Sequence, residues 1–126
     1  MSRQGSGMML WAGDRFLLLR RSAKVPEPGI WNLPGGQVDR GETPYQSAVR
    51  ETVEEAGTIP AHRVVGEHVS RTRQGVYTAF VAQIDRPFKP DINWESDAWA
   101  WVAGNEARDL PLHPELRRLL DEMGAV

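Results

Sequence analysis

The first third of the chain shows two apolar runs that are separated by a turn. Residues 8–12 read MMLWA, the pair Gly13-Asp14 follows, and residues 15–20 read RFLLLR. Two apolar runs joined by such a pair are typical of a β-hairpin. A loop with two prolines and a glycine follows at residues 24–29, and residues 31–34 are predicted to form a short extended piece.

The second half of the chain predicts three more strands and a final helix. Residues 62–70 and 76–84 have the length of strands, and the second run alternates its apolar side chains on one face. Residues 98–102 are expected to form a short last strand. Residues 112–123 place leucines on one face of a helix that starts near His113, which is expected to cap it or lie on the surface, and Pro114.

Residues 44–56 have the pattern of an amphipathic helix. Thr43 is a suitable N-cap, Pro44 suits the first helical position, and Gly57 suits the residue that ends the helix. One side of this helix is expected to face the core, and its members are Tyr45, Val49, Thr52, Val53 and Ala56. Helices and strands in this order predict an α/β sandwich.

The composition limits the class of protein. With 126 residues, 40% hydrophobic and 25% charged, residues 8–126 are expected to form one soluble domain, and the small polar residues 1–7 a disordered N-terminal segment. A net charge of −2 argues against a general nucleic-acid-binding surface, and the absence of cysteine excludes disulfides and thiolate catalysis. No signal peptide or membrane-spanning run is present, so the protein is predicted to be cytoplasmic.

Three carboxylates share one face near the end of the central helix. Glu51, Glu54 and Glu55 fall within an arc of roughly 100°. Their mutual repulsion and the negative end of the helix dipole both disfavour this placement. A divalent cation such as Mg²⁺, which prefers oxygen ligands, would offset both costs. An ordinary solvated face is the alternative interpretation of these three acids alone.

The wider arrangement favours the metal site. It reads G-x5-E-x7-R-E-x-x-E-E-x-G, from Gly36 through Glu42 and Arg50 to Gly57. This arrangement resembles the signature of the Nudix hydrolase family, and the flanking stretches LLLRRS and GIWNLPGG are similar to single-domain members of the MutT type. Thr52 and Thr58 stand where the family usually has bulky aliphatic residues.

The resemblance implies an α/β/α sandwich with a mixed sheet and a hydrolase that uses Mg²⁺, with Mn²⁺ as a possible substitute. Water would attack a diphosphate linkage, and the favoured substrate is a (deoxy)nucleoside triphosphate that is cleaved to a monophosphate and pyrophosphate. Nucleotide sugars, ADP-ribose or dinucleoside polyphosphates are alternative substrates, and a non-catalytic nucleotide-sensing domain is the alternative function. We expect a small-molecule partner, no membrane and no stable nucleic-acid complex, in a monomer or homodimer.

The resemblance also assigns residues to the site. The metal would be held by Gly36, Glu51, Glu54, Glu55 and Glu95, where Glu95 is the best match to an acid before the last strand and Asp97 is the second choice. The expected catalytic residues are Glu54, Glu51, Arg50 and Glu95, and the general base is either a glutamate of the motif or Glu95.

Two of the motif residues have more than one possible role. Arg50 would orient a carboxylate, although an i,i+4 pair with Glu54 would also explain it. Glu42 would steady the loop before the helix or join the outer shell of the metal. The residues expected to contact substrate are Arg21, Gly35, Gly36, Trp31 and Tyr77, with Trp94 and Trp99 as further candidates for stacking on a base.

Overall fold

The computed structural model describes residues 3–124, which form seven β-strands and three α-helices. In chain order these are β1 (Arg3–Ala12), β2 (Arg15–Arg21), β3 (Trp31–Asn32), β4 (Gly35–Gln37), α1 (Pro44–Ala56), β5 (Arg63–Thr72), β6 (Gly75–Ile84), β7 (Ser96–Val102), α2 (Gly104–Ala107) and α3 (Pro114–Met123). The predicted strands and the two longer helices are all present, and the short α2 was not predicted. No helix within residues 3–124 is long and apolar enough to cross a bilayer.

The strands form one mixed sheet with β1 near its centre. Strand β1 runs parallel to β6 over ten residue pairs, from Arg3–Gly75 to Ala12–Ile84, and antiparallel to β2 and β4. Strands β3 and β7 pair with β2, and β5 pairs with the outer side of β6. The short strand β4 therefore lies beside the first half of β1.

Helices cover both faces of the sheet. Alternate residues of β1 point to opposite faces, so Met9 packs in a cluster with leucines of α3, whereas Met8 and Leu10 pack with Ala48 of α1. Each fully buried leucine of α3 stabilises the fold by roughly 2 kcal/mol. The predicted α/β/α sandwich with a mixed sheet is thus confirmed.

The N-terminal segment differs from the prediction. Residues 3–7, expected to be disordered, form the first half of β1 and pair with β6 and β4. Gly7 is what permits this, because a Cβ atom there would overlap the hydroxyl of Tyr77. The small residues Gly5 and Gly7, which in the sequence are typical of a disordered terminus, allow Tyr77 to pack closely against β1. Residues 1 and 2, which belonged to the same prediction, lie outside the described residues.

Candidate active site

The ends of α1 are fixed by local interactions that the sequence specifies. The Thr43 hydroxyl accepts a hydrogen bond from the Gln46 amide at 3.1 Å, and the Gln46 side chain accepts one from the Thr43 amide at 2.9 Å. Pro44 occupies the first turn, and Gly57 ends the helix in the left-handed region with φ 84°. The predicted cap, first residue and end of the helix are confirmed.

The buried face of α1 overlaps only in part with the face that the apolar pattern predicted, since Thr52 and Ala56 belong to both. Ala48, Thr52, Glu55 and Ala56 are buried, whereas Val53 is 43% exposed. The helix is rotated from the expected orientation by somewhat less than one residue step of about 100°. Small side chains let the helix approach the sheet closely on this side, and the rotation turns Glu51 and Glu55 toward β4, whereas Glu54 stays half exposed.

Arg50 holds several carboxylates in place at once. Its Nε and Nη2 donate to both oxygens of Glu42 at 2.7 and 3.0 Å, and its Nη1 donates to Glu51 at 2.9 Å and to Glu54 at 3.2 Å. The bond from Arg50 lowers the pKa of Glu42, and these acceptors together raise the pKa of Arg50 above its ordinary value. The Arg50 side chain therefore makes both predicted contacts: it pairs with Glu54 and it orients Glu51.

Strand β4 receives two of the motif glutamates. The Gly35 amide donates to Glu55 Oε2 at 3.2 Å. A Cβ atom on Gly36 would lie 2.7 Å from the Glu51 Cδ, so the missing side chain makes room for the Glu51 carboxylate. Neither glycine has a positive φ angle. They are needed because the β4 backbone, β1 and the carboxylates approach so closely.

Glu55 lies in an unusual environment for a carboxylate. Glu55 is only 8% exposed to solvent. Burial, followed by the negative charge of Glu51 and then that of Glu95, holds the pKa of Glu55 well above the ordinary carboxyl range, and the Gly35 amide opposes this only in part. Glu95 therefore lies near enough to Glu55 to affect its protonation, although the two residues are 40 positions apart in the sequence.

Glu95 is positioned by Asn93. The Asn93 amide group donates to Glu95 Oε1 at 3.3 Å and to the backbone oxygen of Glu54 at 3.0 Å, and it thereby ties the loop before β7 to the end of α1. Asp97 instead accepts a 2.7 Å hydrogen bond from Arg20 on an exposed surface. The geometry favours Glu95 over Asp97 as the acid that works with the helix.

We expect the two acids to differ sharply on substitution. Glu95→Gln should lower kcat by about ten- to a hundredfold, as is usual for a group that supports a metal site. Asp97→Asn should leave kcat within about twofold, since exposed ion pairs contribute little. Steady-state kinetics of the two purified variants tests this. Equal losses of kcat in both variants, or a loss in Asp97→Asn alone, would contradict the assignment of this role to Glu95.

Four carboxylates surround the site, but they do not form a preformed metal cage. Within residues 3–124 no three acidic or histidine side chains are gathered closely enough to hold an ion as they stand. Arg50 engages one oxygen of Glu51 and one of Glu54, and the Gly35 amide engages Glu55. The donor set still fits Mg²⁺, because it consists of oxygen atoms whose crowded charges a divalent cation would offset.

The raised pKa of Glu55 predicts how stability depends on pH in the absence of metal. The folded state binds the Glu55 proton more tightly than the unfolded state, whose pKa stays near the ordinary 4.5. Stability from this group is therefore complete below that value and is lost as the pH rises toward the raised folded pKa. In EDTA, the melting temperature of the wild type should fall from about pH 5 to pH 8 more steeply than that of Glu55→Gln.

The comparison with Glu55→Gln isolates the contribution of Glu55 to the pH dependence, because the three histidines are present in both proteins. Added Mg²⁺ should stabilise the wild type more at high pH than at low pH, because a ligating carboxyl must lose its proton. Parallel pH profiles for the two proteins in EDTA would contradict the prediction.

The predicted substrate contacts are divided between two places. Arg21 lines a cavity of about 60 Å³ together with Gly35, Glu55 and Glu95, so it lies beside the carboxylates. Trp31 lies elsewhere, with the Arg20 guanidinium 5.7 Å from its ring centroid, and that contact covers one face of the ring. Tyr77 lies on the α3 side of the sheet, where the ring packs against Gly5 and Gly7.

A large open cleft lies on that side, next to Tyr77. It has a volume of about 610 Å³ between the start of β1, the β5–β6 hairpin and the start of α3. Burial and then the charges of Glu55 and Glu115 raise the pKa of Tyr77, so its hydroxyl lies within electrostatic reach of both acids. The cleft lies on the α3 side of the sheet, whereas α1, which carries the motif carboxylates, covers the other side. Glu115 was not predicted from the sequence, where it looks like an ordinary acid in the first turn of a helix.

Comparison with known proteins agrees with this arrangement. A model of the NUDIX domain matches residues 1–123. The "Putative 8-oxo-dGTP diphosphatase 3" of Mycobacterium tuberculosis is 42% identical over 106 residues, which cover 78% of this chain and 48% of that protein. The chain thus spans about half the length of this relative. The CTP pyrophosphohydrolase of Escherichia coli is 30% identical over 117 residues, which cover 89% of this chain and 84% of that protein.

The fold comparison points to the same family. The crystal structure of a Nudix hydrolase from M. smegmatis, RenU, superimposes with a TM-score of 0.84 and 31% identity, over 95% of this chain and 82% of that chain. The resemblance to MutT-like Nudix hydrolases that the motif predicted is confirmed. This chain belongs to the NUDIX family.

Proposed function

We propose that this chain is a Mg²⁺-dependent pyrophosphohydrolase that cleaves a (deoxy)nucleoside triphosphate to a monophosphate and pyrophosphate. The observation that carries the proposal is the crowding of Glu51, Glu55 and Glu95 beside Arg21. An acidic group of this kind destabilises the folded protein unless a cation and its ligand neutralise it. The two curated relatives described above carry names of enzymes that act on nucleoside triphosphates.

The proposal gives each side chain a role. Glu51, Glu54, Glu55 and Glu95, with the backbone of Gly36, would hold Mg²⁺, for which Mn²⁺ could substitute. When bound, the ion supplies charge neutralisation at the phosphate oxygens and activation of water. Arg50 keeps the carboxylates oriented.

Glu54 is our choice for the base that accepts the proton of the attacking water. Its side chain is 50% exposed, compared with 15% for Glu51, and among residues 3–124 its carboxylate is held by Arg50 at 3.2 Å. It is thus the motif carboxylate that a water molecule reaches most easily. As water adds to phosphorus and the P–O bond of the anhydride breaks, the proton passes to Glu54 and pyrophosphate leaves.

Arg21 is suited to bind the phosphates. It lies in the small cavity beside Glu55 and Glu95, and its Nε donates to the backbone oxygen of Pro26. That contact uses one donor, so other donors of the guanidinium are available for phosphate oxygens. A positive charge at this point would also offset the two neighbouring carboxylates.

A product assay on a nucleotide panel tests the function. The chain is incubated with Mg²⁺ or EDTA and with nucleoside triphosphates, dinucleoside polyphosphates, ADP-ribose or nucleotide sugars, and phosphate is detected after addition of pyrophosphatase or of a phosphomonoesterase. We expect signal with pyrophosphatase on triphosphates, in Mg²⁺ only. Signal with the phosphomonoesterase alone, on linked diphosphates, would change the substrate class, and silence throughout would favour a sensing domain.

A further inference from the structure

Strand β5 forms one edge of the sheet and has an open backbone on its outer side. It pairs with β6 on its inner side, and among residues 3–124 no other backbone group bonds to its peptide groups. The strand is ten residues long and contains no proline, which would remove a donor from the outer row. An open edge of this length is a template for pairing with a further strand.

The α1 side of β5 carries an exposed valine between two exposed charges. Glu67 lies opposite Phe80 of β6, which packs on the α1 side of the sheet. Val69 and Arg71 share that side, because alternate residues of a strand point the same way. Val69 is 46% exposed, and within residues 3–124 neither Glu67 nor Arg71 has an ion-pair partner.

Two copies of β5 can pair in a self-complementary way. Most homodimers have a two-fold axis, and such an axis between antiparallel strands sets one residue opposite its own copy. Residues at equal distances before and after that residue then lie opposite each other and point to the same face. With the axis at Val69, the two valines meet, and Glu67 of each copy lies opposite the partner's Arg71.

The charges distinguish this register from its neighbours. An axis at Glu67 would oppose two glutamates, and an axis at Arg71 would oppose two arginines. Like charges directly opposite each other destabilise a pair of strands. An axis at His68 or Ser70 would set one of the two charged side chains opposite Val69. The axis at Val69 gives two attractive pairs and no like-charge contact between these residues.

The regular part of β5 has Val69 at its centre. Its register with β6 is continuous over residues 66–72, and it shifts just before them, at a bulge that leaves out Val65. At about 3.3 Å per residue, this regular segment spans about 23 Å, all of which can pair about an axis at Val69. A bulge disrupts the ladder, which disfavours an axis at Val65, where Glu67 would lie opposite the partner's Arg63.

We propose that the outer edge of β5 binds β5 of a second copy of this chain, antiparallel about a two-fold axis at Val69, so that two sheets become one. Backbone hydrogen bonds and the contact between the valines hold the copies together, and the two Glu67–Arg71 pairs set the register. The edge is separated from β2 and β7 by the central strands β1 and β6. The inference goes beyond the proposed function and does not depend on it.

The first test uses a single introduced thiol, because the chain has no cysteine of its own. In Val69→Cys the two thiols would face each other across the axis and should form an intermolecular disulfide under mild oxidation. Val65→Cys is the matched control, since Val65 is 48% exposed on the same strand but lies at the bulge, away from the axis. On non-reducing gels the linked dimer should form at least about tenfold faster with Val69→Cys. Equal rates overturn the proposal.

Charge reversal tests the register. By sedimentation velocity at micromolar concentration, the wild type should have a mass of twice 14.1 kDa. In Glu67→Arg, or in Arg71→Glu, two like-charge contacts replace two attractive ones in each dimer, so the dissociation constant should rise at least about tenfold. In an equal mixture of these two variants every such contact again joins opposite charges, and a heterodimer as stable as the wild-type dimer should form.

Two further variants are controls for the charge reversals. Arg63→Glu makes the same change as Arg71→Glu on the same strand, but before the bulge, and it should stay dimeric. Glu67→Gln removes a charge without reversing it and keeps an oxygen that can accept from the partner's Arg71, so it should stay dimeric as well. Each variant should keep the far-UV circular dichroism spectrum of the wild type, because the replaced side chains are exposed.

Three outcomes of the sedimentation experiments overturn the proposal. They are a wild type of 14.1 kDa at every concentration, a dimer that both reversals leave intact, and a dimer that Arg63→Glu weakens but Arg71→Glu does not. All of these measurements are made without substrate or metal. A failure of the proposed function therefore leaves the test of the dimer unaffected, and a monomeric wild type leaves the proposed function unaffected.

Discussion

Glu54→Gln is expected to lower kcat by about 10²- to 10⁴-fold, the usual contribution of a general acid or base. The amide keeps the shape of the side chain but can neither accept the proton of water nor carry the charge that a cation requires. The free energy of unfolding should change by less than about 0.5 kcal/mol, because the carboxylate is half exposed and its Arg50 partner lies one helical turn away. Steady-state kinetics and thermal melting of the same preparation give both values.

Glu67→Gln is the matched control for this result. Glu67 is an exposed carboxylate on β5, so its loss removes the same charge without touching α1. Its kcat and melting temperature should equal those of the wild type. Near-wild-type turnover in Glu54→Gln would rule out our assignment of Glu54, and a large drop in its melting temperature would mean that the loss of activity reflects the fold.

Gly36→Ala is expected to remove most of the activity while the fold survives. The new methyl carbon would lie 2.7 Å from the Glu51 Cδ and 2.9 Å from each of its oxygens, and so the carboxylate must move. Because the obstacle is the end of a flexible side chain, we expect a loss of only about 1 kcal/mol in the free energy of unfolding. Glu51 would leave the position that Arg50 gives it, and kcat should fall by about ten- to a hundredfold.

Two other glycines serve as controls for Gly36→Ala. In Gly35→Ala the methyl group would overlap the backbone of Ser6 and Gly7, so β4 would have to separate from β1 and the melting temperature should fall sharply. In Gly66→Ala no atom lies within 4 Å of the added carbon, and both activity and stability should be kept. Wild-type activity in Gly36→Ala would show that the position of Glu51 is not needed for the reaction.

Several features follow from the sequence because neighbours along the chain decide them. The cap of α1 uses Thr43 and Gln46, and the end of the helix uses Gly57; each interaction spans only a few residues. The hairpin of β1 and β2 depends on Gly13, which has φ 64° at the turn. The motif itself also spans one loop and one helix, so its spacing was sufficient to predict the family.

Other features depend on residues far apart in the chain. The rotation of α1 could not be read from its apolar residues, because Ala48 and Ala56 determine how closely the helix approaches the sheet. Likewise, residues 3–7 become a strand only because β6 lies beside them and Gly7 leaves space for Tyr77. The local propensity of a segment predicts neither which strand will pair with it nor how much space surrounds its glycines.

The sequence by itself therefore determined the first hairpin, the two longer helices, the sandwich and the family, together with the identity of the motif acids. Tertiary packing alone decided that Glu55 is buried beside Glu95, that Gly36 makes room for Glu51, and that Glu115 lines the cleft. The physical reason is the distance along the chain over which each interaction acts. Capping and helix periodicity act over a few residues, whereas burial, charge crowding and unpaired acceptors arise only when distant segments meet.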